Sequence, residues 1–137
     1  MVRREVILAR LARLEAYLAI LEALRAYDRD AFFRSPERYG SAERFLQLAI
    51  EAIDDIAAHS VADEGWSPVE RASDLPERFL ARGYVSPAFA EQWRRMIGFR
   101  NLLVHDYVEL DRERVWAVLQ ENLDDLRTFL PLFSRFL

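Results

Sequence analysis

Between Ile7 and Leu24 a large aliphatic residue returns at every third or fourth position: Ile7, Leu11, Leu14, Leu18, Leu21 and Leu24. An α-helix, with 3.6 residues per turn, puts residues at those spacings on one face. Arg and Glu fill much of the opposite face, so the pattern predicts an amphipathic helix from Val2 to about Tyr27. Such a helix is longer than an ordinary globular one and long enough to span a bundle. No segment shows the period-two alternation of a half-buried strand, and no Asn-Gly or Asp-Gly hairpin turn occurs.

The rest of the chain reads the same way. A break is expected across Arg34-Ser35-Pro36 and Tyr39-Gly40-Ser41. A second helix should run from near Ser41 to about Ala62, with Ala42, Phe45, Ala49, Ala52, Ile53 and Ile56 inward and Asp54 and Asp55 turned away. Ser67-Pro68-Val69-Glu70 carries a capping box with proline at the first helical position, which predicts a short helix restarting near Asp74 and ending near Gly83. Ser86-Pro87 repeats the signature and opens a helix through Phe89, Trp93, Met96 and Ile97 that carries on to Tyr107. Asp111 is the expected N-cap of a last helix through Val115, Leu119, Leu123, Leu126, Leu130 and Phe133. Long helices with short connections favour antiparallel packing. The expectation is an all-α, antiparallel four-helix-type bundle with one additional short helix, in a single domain over residues 1–137.

Composition narrows the chemistry. With 137 residues, 52% hydrophobic and 31% charged, the chain can bury a core without covalent staples. It has no Cys, hence no thiol nucleophile or Cys-ligated zinc, and its two histidines, His59 and His105, cannot build a multi-histidine metal centre within one chain. No metal and no cofactor are expected. No stretch approaches the ~18 uncharged apolar residues of a membrane span, and the N-terminus lacks a signal-peptide core, so a cytoplasmic location is expected. A net charge of −4 does not favour non-specific nucleic-acid binding. All 19 basic residues are Arg, a bias that GC-rich coding produces, and each can make bidentate contacts to carboxylate or phosphate.

The P-loop, the dinucleotide Gly-rich turn, His-Glu-x-x-His and Gly-x-Ser-x-Gly are all absent. Asp54 and Asp55 are adjacent, diverge by ~100° on a helix, and read as a solvated face. Glu51 and Asp55, one turn apart, are weakly compatible with a cation. His59 reads as a helix-end cap or a satisfied buried group. The segment Arg100-Asn101-x-x-x-His105-x-Tyr107 stands apart, with four hydrogen-bonding side chains in two turns. It suits phosphodiester cleavage. Arg100 could bind the scissile phosphate and offset developing charge. An imidazole ordinarily titrates near ~6.5, so His105 could move a proton at neutral pH. Asn101 could orient either group or a ribose hydroxyl, and an RNA 2′-OH could serve as nucleophile. Arg94 and Arg95 could extend a phosphate-binding face; alone they are a solvated pair, and Tyr107 alone is a core-edge residue. On a regular helix Arg100 and His105 point ~140° apart. Helix distortion, the reach of the Arg side chain, or a second subunit must therefore complete a shared site.

The run Gly98-Phe99-Arg100-Asn101-Leu102-Leu103-Val104-His105-Asp106-Tyr107 resembles the signature of HepT-like proteins of the HEPN superfamily. The stretch from Ala42 to Ala52, followed by Ile53-Asp54-Asp55-Ile56-Ala57-Ala58-His59, is similar to that family's second helix. The resemblance implies a HEPN-like helical homodimer with a cleft between protomers. It implies a metal-independent endoribonuclease acting as the toxin of a toxin–antitoxin pair, with Arg100 and His105 catalytic and Asn101 as the polar residue of the motif. It also implies a minimal nucleotidyltransferase antitoxin that, in some members, transfers AMP to the motif tyrosine, here Tyr107. The rival expectation is a non-catalytic module that binds a nucleotide or that nucleotidyltransferase with the same arginines.

Overall fold

The computed structural model describes residues 2–105 and 111–137. They form α1 (Val2–Arg25), α2 (Arg29–Arg34), α3 (Pro36–Asp63), a 3-10 turn (Ala72–Asp74), α4 (Leu75–Ala81), α5 (Pro87–His105), α6 (Arg112–Arg127) and α7 (Phe129–Ser134). Among the described residues there is no strand. The all-α bundle expected from periodicity is the fold, with α2, α4 and α7 as short additions to four long helices.

Pairs of contacts give the directions. Arg10 meets Asp55 and Tyr17 meets Phe45, so α1 and α3 run antiparallel. Glu22 meets Arg127 and Arg25 meets Asp124, which sets α1 against α6 in the same sense. Gln92 reaches Asp125 while Arg114 lies over the Phe99 ring, so α5 and α6 are antiparallel too. The stripe of α1 is the core stripe: Ile7, Leu11, Leu14, Leu18, Leu21 and Leu24 are all buried. Each such side chain contributes roughly 2 kcal/mol of gross hydrophobic stabilisation. One end of the core is aromatic, where Trp66, Phe79, Tyr84, Trp93, Phe133 and Phe136 stack or meet edge to face.

Several boundaries differ from the sequence expectation, each for a local reason. Helix α3 starts at Pro36, so the expected break at Gly40-Ser41 is absent. One glycine inside a helix costs about 1 kcal/mol, less than the continuous burial of Ala42, Leu46, Ala49 and Ile50 supplies. Helix α2, unread in the sequence, is capped by the Asp28 carboxylate, which accepts from Ala31 N at 2.8 Å, and is anchored by buried Phe32. The Ser67–Glu70 capping box does not form. The Arg78 guanidinium instead donates to the carbonyls of Ser67 and Pro68 at 2.9 and 2.8 Å, and Asp74 accepts from the backbone of Glu70 and Arg71. The helix therefore begins only at Leu75. The last helix divides at Thr128, because Pro131 has no N–H and its ring excludes the carbonyl four residues back. Ser86 and Asp111 are N-caps as expected, accepting from Phe89 N at 3.1 Å and Glu113 N at 2.9 Å. Helix α3 and helix α4 both end through a glycine with positive φ, Gly65 at 69° and Gly83 at 76°, where a side chain would be strained.

Candidate active site

Helix α5 lays Ala90, Trp93, Met96, Ile97, Phe99 and Leu103 into the core. Arg100 follows Trp93 by two turns, so it leaves the helix at the margin of that buried face and reaches α3. There its Nε donates to one oxygen of Glu51 at 2.9 Å, and its Nη2 lies 2.8 Å from the same oxygen in the ion pair. Its Nη1 donates to Asn101 Oδ1 at 3.1 Å. Gln47 Nε2, one turn earlier on α3, donates to the same Glu51 oxygen at 3.0 Å. The Nε–Nη2 edge of the guanidinium is thus occupied and the group held in place, while the outer N–H bonds of the fork stay available to an anion. Arg100, Asn101, Glu51, Asp54, Ile97 and Ala72 line a cavity of about 220 Å³.

Asp54 is not turned away, contrary to its sequence reading. It is half-buried against α5, and its Oδ1 accepts from the Trp93 indole at 3.1 Å. Burial raises its carboxyl to about 7, opposed by the Trp93 hydrogen bond and the Arg100 charge. Between about pH 4 and 7 the folded protein keeps a proton at Asp54 that the unfolded chain releases. This contribution to stability is complete below about pH 4, falls as pH rises through that window, and levels off above about 7. Asp54→Asn keeps an acceptor for Trp93 and removes the titration. Urea unfolding should show wild type losing about 3 kcal/mol relative to Asp54→Asn from pH 4 to 7.5; parallel profiles would contradict this.

The two carboxylates one turn apart on α3 take different partners. Glu51 serves Arg100, whereas Asp55 pairs with Arg10 and lies 3.8 Å from His59 Nε2. His59 is a half-exposed side chain one turn before the end of α3, beside Asp55, not buried and with no cap hydrogen bond among the described residues. Among the described residues no group of three or more His, Cys, Asp or Glu is placed to hold a metal ion.

Of the expected site residues, the structure brings Arg100 and Asn101 together. His105 is exposed in the last turn of α5 and has no hydrogen-bond or ion-pair partner among the described residues, Arg100 included. The helix is unbroken through His105, so distortion before that residue does not unite the two groups. Arg94 is held between Glu77 and Glu91 at 3.3 and 3.2 Å. Arg95 is 70% exposed, sits 3.8 Å from Glu91, and lines the α5–α6 groove with Arg114 rather than the Arg100 cavity. Tyr107 lies outside the described residues. Glu51 and Asp54 are the members that sequence reasoning missed; their i, i+3 spacing on α3 was the available signal.

A family model described as Ribonuclease HepT-like matches residues 11–132. The mRNA nuclease HepT of Shewanella oneidensis is 29% identical over 89 residues, which is 65% of this chain and 67% of that protein. Among solved structures, the chain is similar to a tri-AMPylated Shewanella oneidensis HEPN toxin in complex with an MNT antitoxin, at TM-score 0.86 and 23% identity, covering 95% of this chain and 97% of that one. It is also similar to YutE, a cytosolic protein of unknown function from Bacillus subtilis, at TM-score 0.81 and 19% identity, covering 97% of this chain and 89% of that one.

Proposed function

The chain belongs to the ribonuclease HepT-like family and is an enzyme of that ribonuclease class, and from that premise we propose that it is the endoribonuclease toxin of a toxin–antitoxin pair, cutting RNA without a metal at a cleft shared by two copies of the chain. The observation that carries the reading is Arg100, held by Glu51 on its Nε–Nη2 edge and by Asn101 at Nη1, with the remaining N–H bonds of the fork open to an anion, on the same helix end as exposed His105. A pre-positioned guanidinium is suited to the equatorial oxygens of a phosphate whose charge grows in the transition state. His105 takes the proton from the ribose 2′-OH. The 2′-oxygen bonds to phosphorus as the P–O5′ bond breaks, and the 5′-oxygen takes a proton from water, giving a 2′,3′-cyclic phosphate and a 5′-hydroxyl while the proton on His105 returns to solvent. Within one protomer Arg100 and His105 point to different faces of α5, so a two-fold partner completes the constellation. Arg95, with its weak ion pair, is an outer phosphate contact; Arg94, held by two carboxylates, contributes only if RNA displaces them.

The antitoxin is a nucleotidyltransferase of the MNT type, in keeping with the complex formed by the Shewanella toxin. Tyr107, two residues beyond His105 in the sequence, receives AMP, and the added anion repels or replaces the phosphate of RNA. No helix among the described residues is long and apolar enough to cross a membrane, and a cytoplasmic location fits an RNA substrate.

The test is incubation of the protein with total RNA in EDTA, followed by analysis of fragment ends. Fragments with 2′,3′-cyclic phosphate ends are expected, from a protein that light scattering finds as a dimer of the 16.1 kDa chain. A stable monomer would remove the shared cleft, and intact RNA with unmodified protein would favour the non-catalytic binding module. Co-expression with an MNT-type nucleotidyltransferase should add AMP to wild type and none to Tyr107→Phe by intact mass; equal addition to both would reject Tyr107 as the target.

A further inference from the structure

A second polar cavity, of about 370 Å³, lies between α1 and α3, lined among others by Arg10, Arg13, Tyr17, Leu48, Glu51 and Asp55. Helical spacing builds it. Arg10, Arg13 and Tyr17 fall on one face of α1, and Leu48, Glu51 and Asp55 on one face of α3. Three features give it the character of a nucleotide subsite. Arg10 is paired with Asp55, but Arg13 is exposed and makes no ion pair among the described residues, so one guanidinium on the wall is free for an anion. The Tyr17 ring, set by a tilted contact with Phe45 at 5.9 Å between centroids, offers a fixed aromatic surface beside it. Asp55 and Glu51 place carboxylate acceptors within reach of a base's amino edge. The volume falls in the range of small-molecule sites, ~300–1,000 Å³.

Position favours a polymer over a free nucleotide. Glu51 lines this groove and also the Arg100 cavity, so the two share a wall. The shared wall puts the second space next to a phosphate held on Arg100. Resting on the ribonuclease reading above, we propose that the α1–α3 groove binds the nucleotide of single-stranded RNA that flanks the cut, with Arg13 on its phosphate and Tyr17 stacked on its base. Stacking on an aromatic and pairing with an unengaged cation are the two contacts by which single strands are held without sequence readout.

The probe is a fluorescein-labelled, fully 2′-O-methylated octanucleotide of mixed sequence, which lacks the attacking hydroxyl and cannot be cut. Its binding is followed by anisotropy against salt for wild type, Arg13→Ala, Arg13→Lys and Tyr17→Leu. Removing one phosphate contact should flatten the slope of log affinity against log salt by about 0.7, which is about fivefold weaker binding at 0.1 M. Arg13→Lys should keep the wild-type slope. Tyr17→Leu should weaken binding roughly tenfold at an unchanged slope, and thermal melting shows whether that variant stays folded; the exposed Arg13 variants carry the test if it does not. Wild-type slope and affinity in Arg13→Ala would overturn the subsite. So would competition by AMP at concentrations where the octanucleotide is displaced as a whole, since that marks a mononucleotide site. The cleavage assay above separates the readings. Cleavage with unaltered octanucleotide binding in Arg13→Ala removes the subsite alone, whereas altered binding with no cleavage by wild type removes the ribonuclease mechanism and keeps the groove as an RNA site.

Discussion

His105→Ala is expected to lower metal-free RNA cleavage by about 10²–10⁴-fold, the usual contribution of one positioned acid or base. The side chain is exposed at the end of α5 and has no packing or hydrogen-bond role among the described residues. Its loss should therefore leave the melting temperature and RNA affinity near wild type and act on kcat. Single-turnover rates on a short RNA, with binding measured in parallel, check this. Cleavage within threefold of wild type would mean that another group moves the proton.

Arg100→Ala is expected to do more than remove a phosphate contact. It should cost about 10²–10³-fold in cleavage, as the loss of a preorganised donor to developing charge does. It also strips the cation from Glu51, whose oxygen accepts from Nε at 2.9 Å and pairs with Nη2 at 2.8 Å, and leaves Asp54 without the charge that opposes its burial. The variant should melt lower than wild type, with the gap widening as pH rises through the range in which Asp54 ionises. Arg100→Lys is the informative companion. A single ammonium cannot serve Glu51 on one edge and a phosphate on the other, so it should bind RNA but lose most of the rate. Full activity in Arg100→Lys would show that point charge, rather than the two-edged fork, is what the site uses.

Much of this site was visible along the chain, and what escaped has a common cause. Ser86 and Asp111 announced their helices because a cap is a contact across three residues. The Ser67–Glu70 box looked equally good and failed, because Arg78 draws the carbonyls of Ser67 and Pro68 into a different local structure. Gly40 looked like a break and was absorbed, because the helix around it buries a continuous apolar face. In both cases a contact beyond the reading window outweighed a local preference. The split of the acidic run is the same effect at longer range. Asp54 and Asp55 read as a solvated pair, yet Asp54 lies under Trp93 and Asp55 faces Arg10, because two adjacent helix positions point at two neighbouring helices.

The division of labour follows the distance over which each interaction acts. Periodicity settled the helical class and the inward face of α1, and the spacing of Arg100 and His105 settled that one straight helix cannot aim both at one phosphate, because these depend only on helix geometry. Tertiary packing alone chose Glu51, 49 residues away, as the anchor of Arg100, raised the Asp54 carboxyl by burial, and opened the α1–α3 groove beside them. Those outcomes depend on which faces of α1, α3 and α5 meet, and that is set by the whole core rather than by any single stretch of chain.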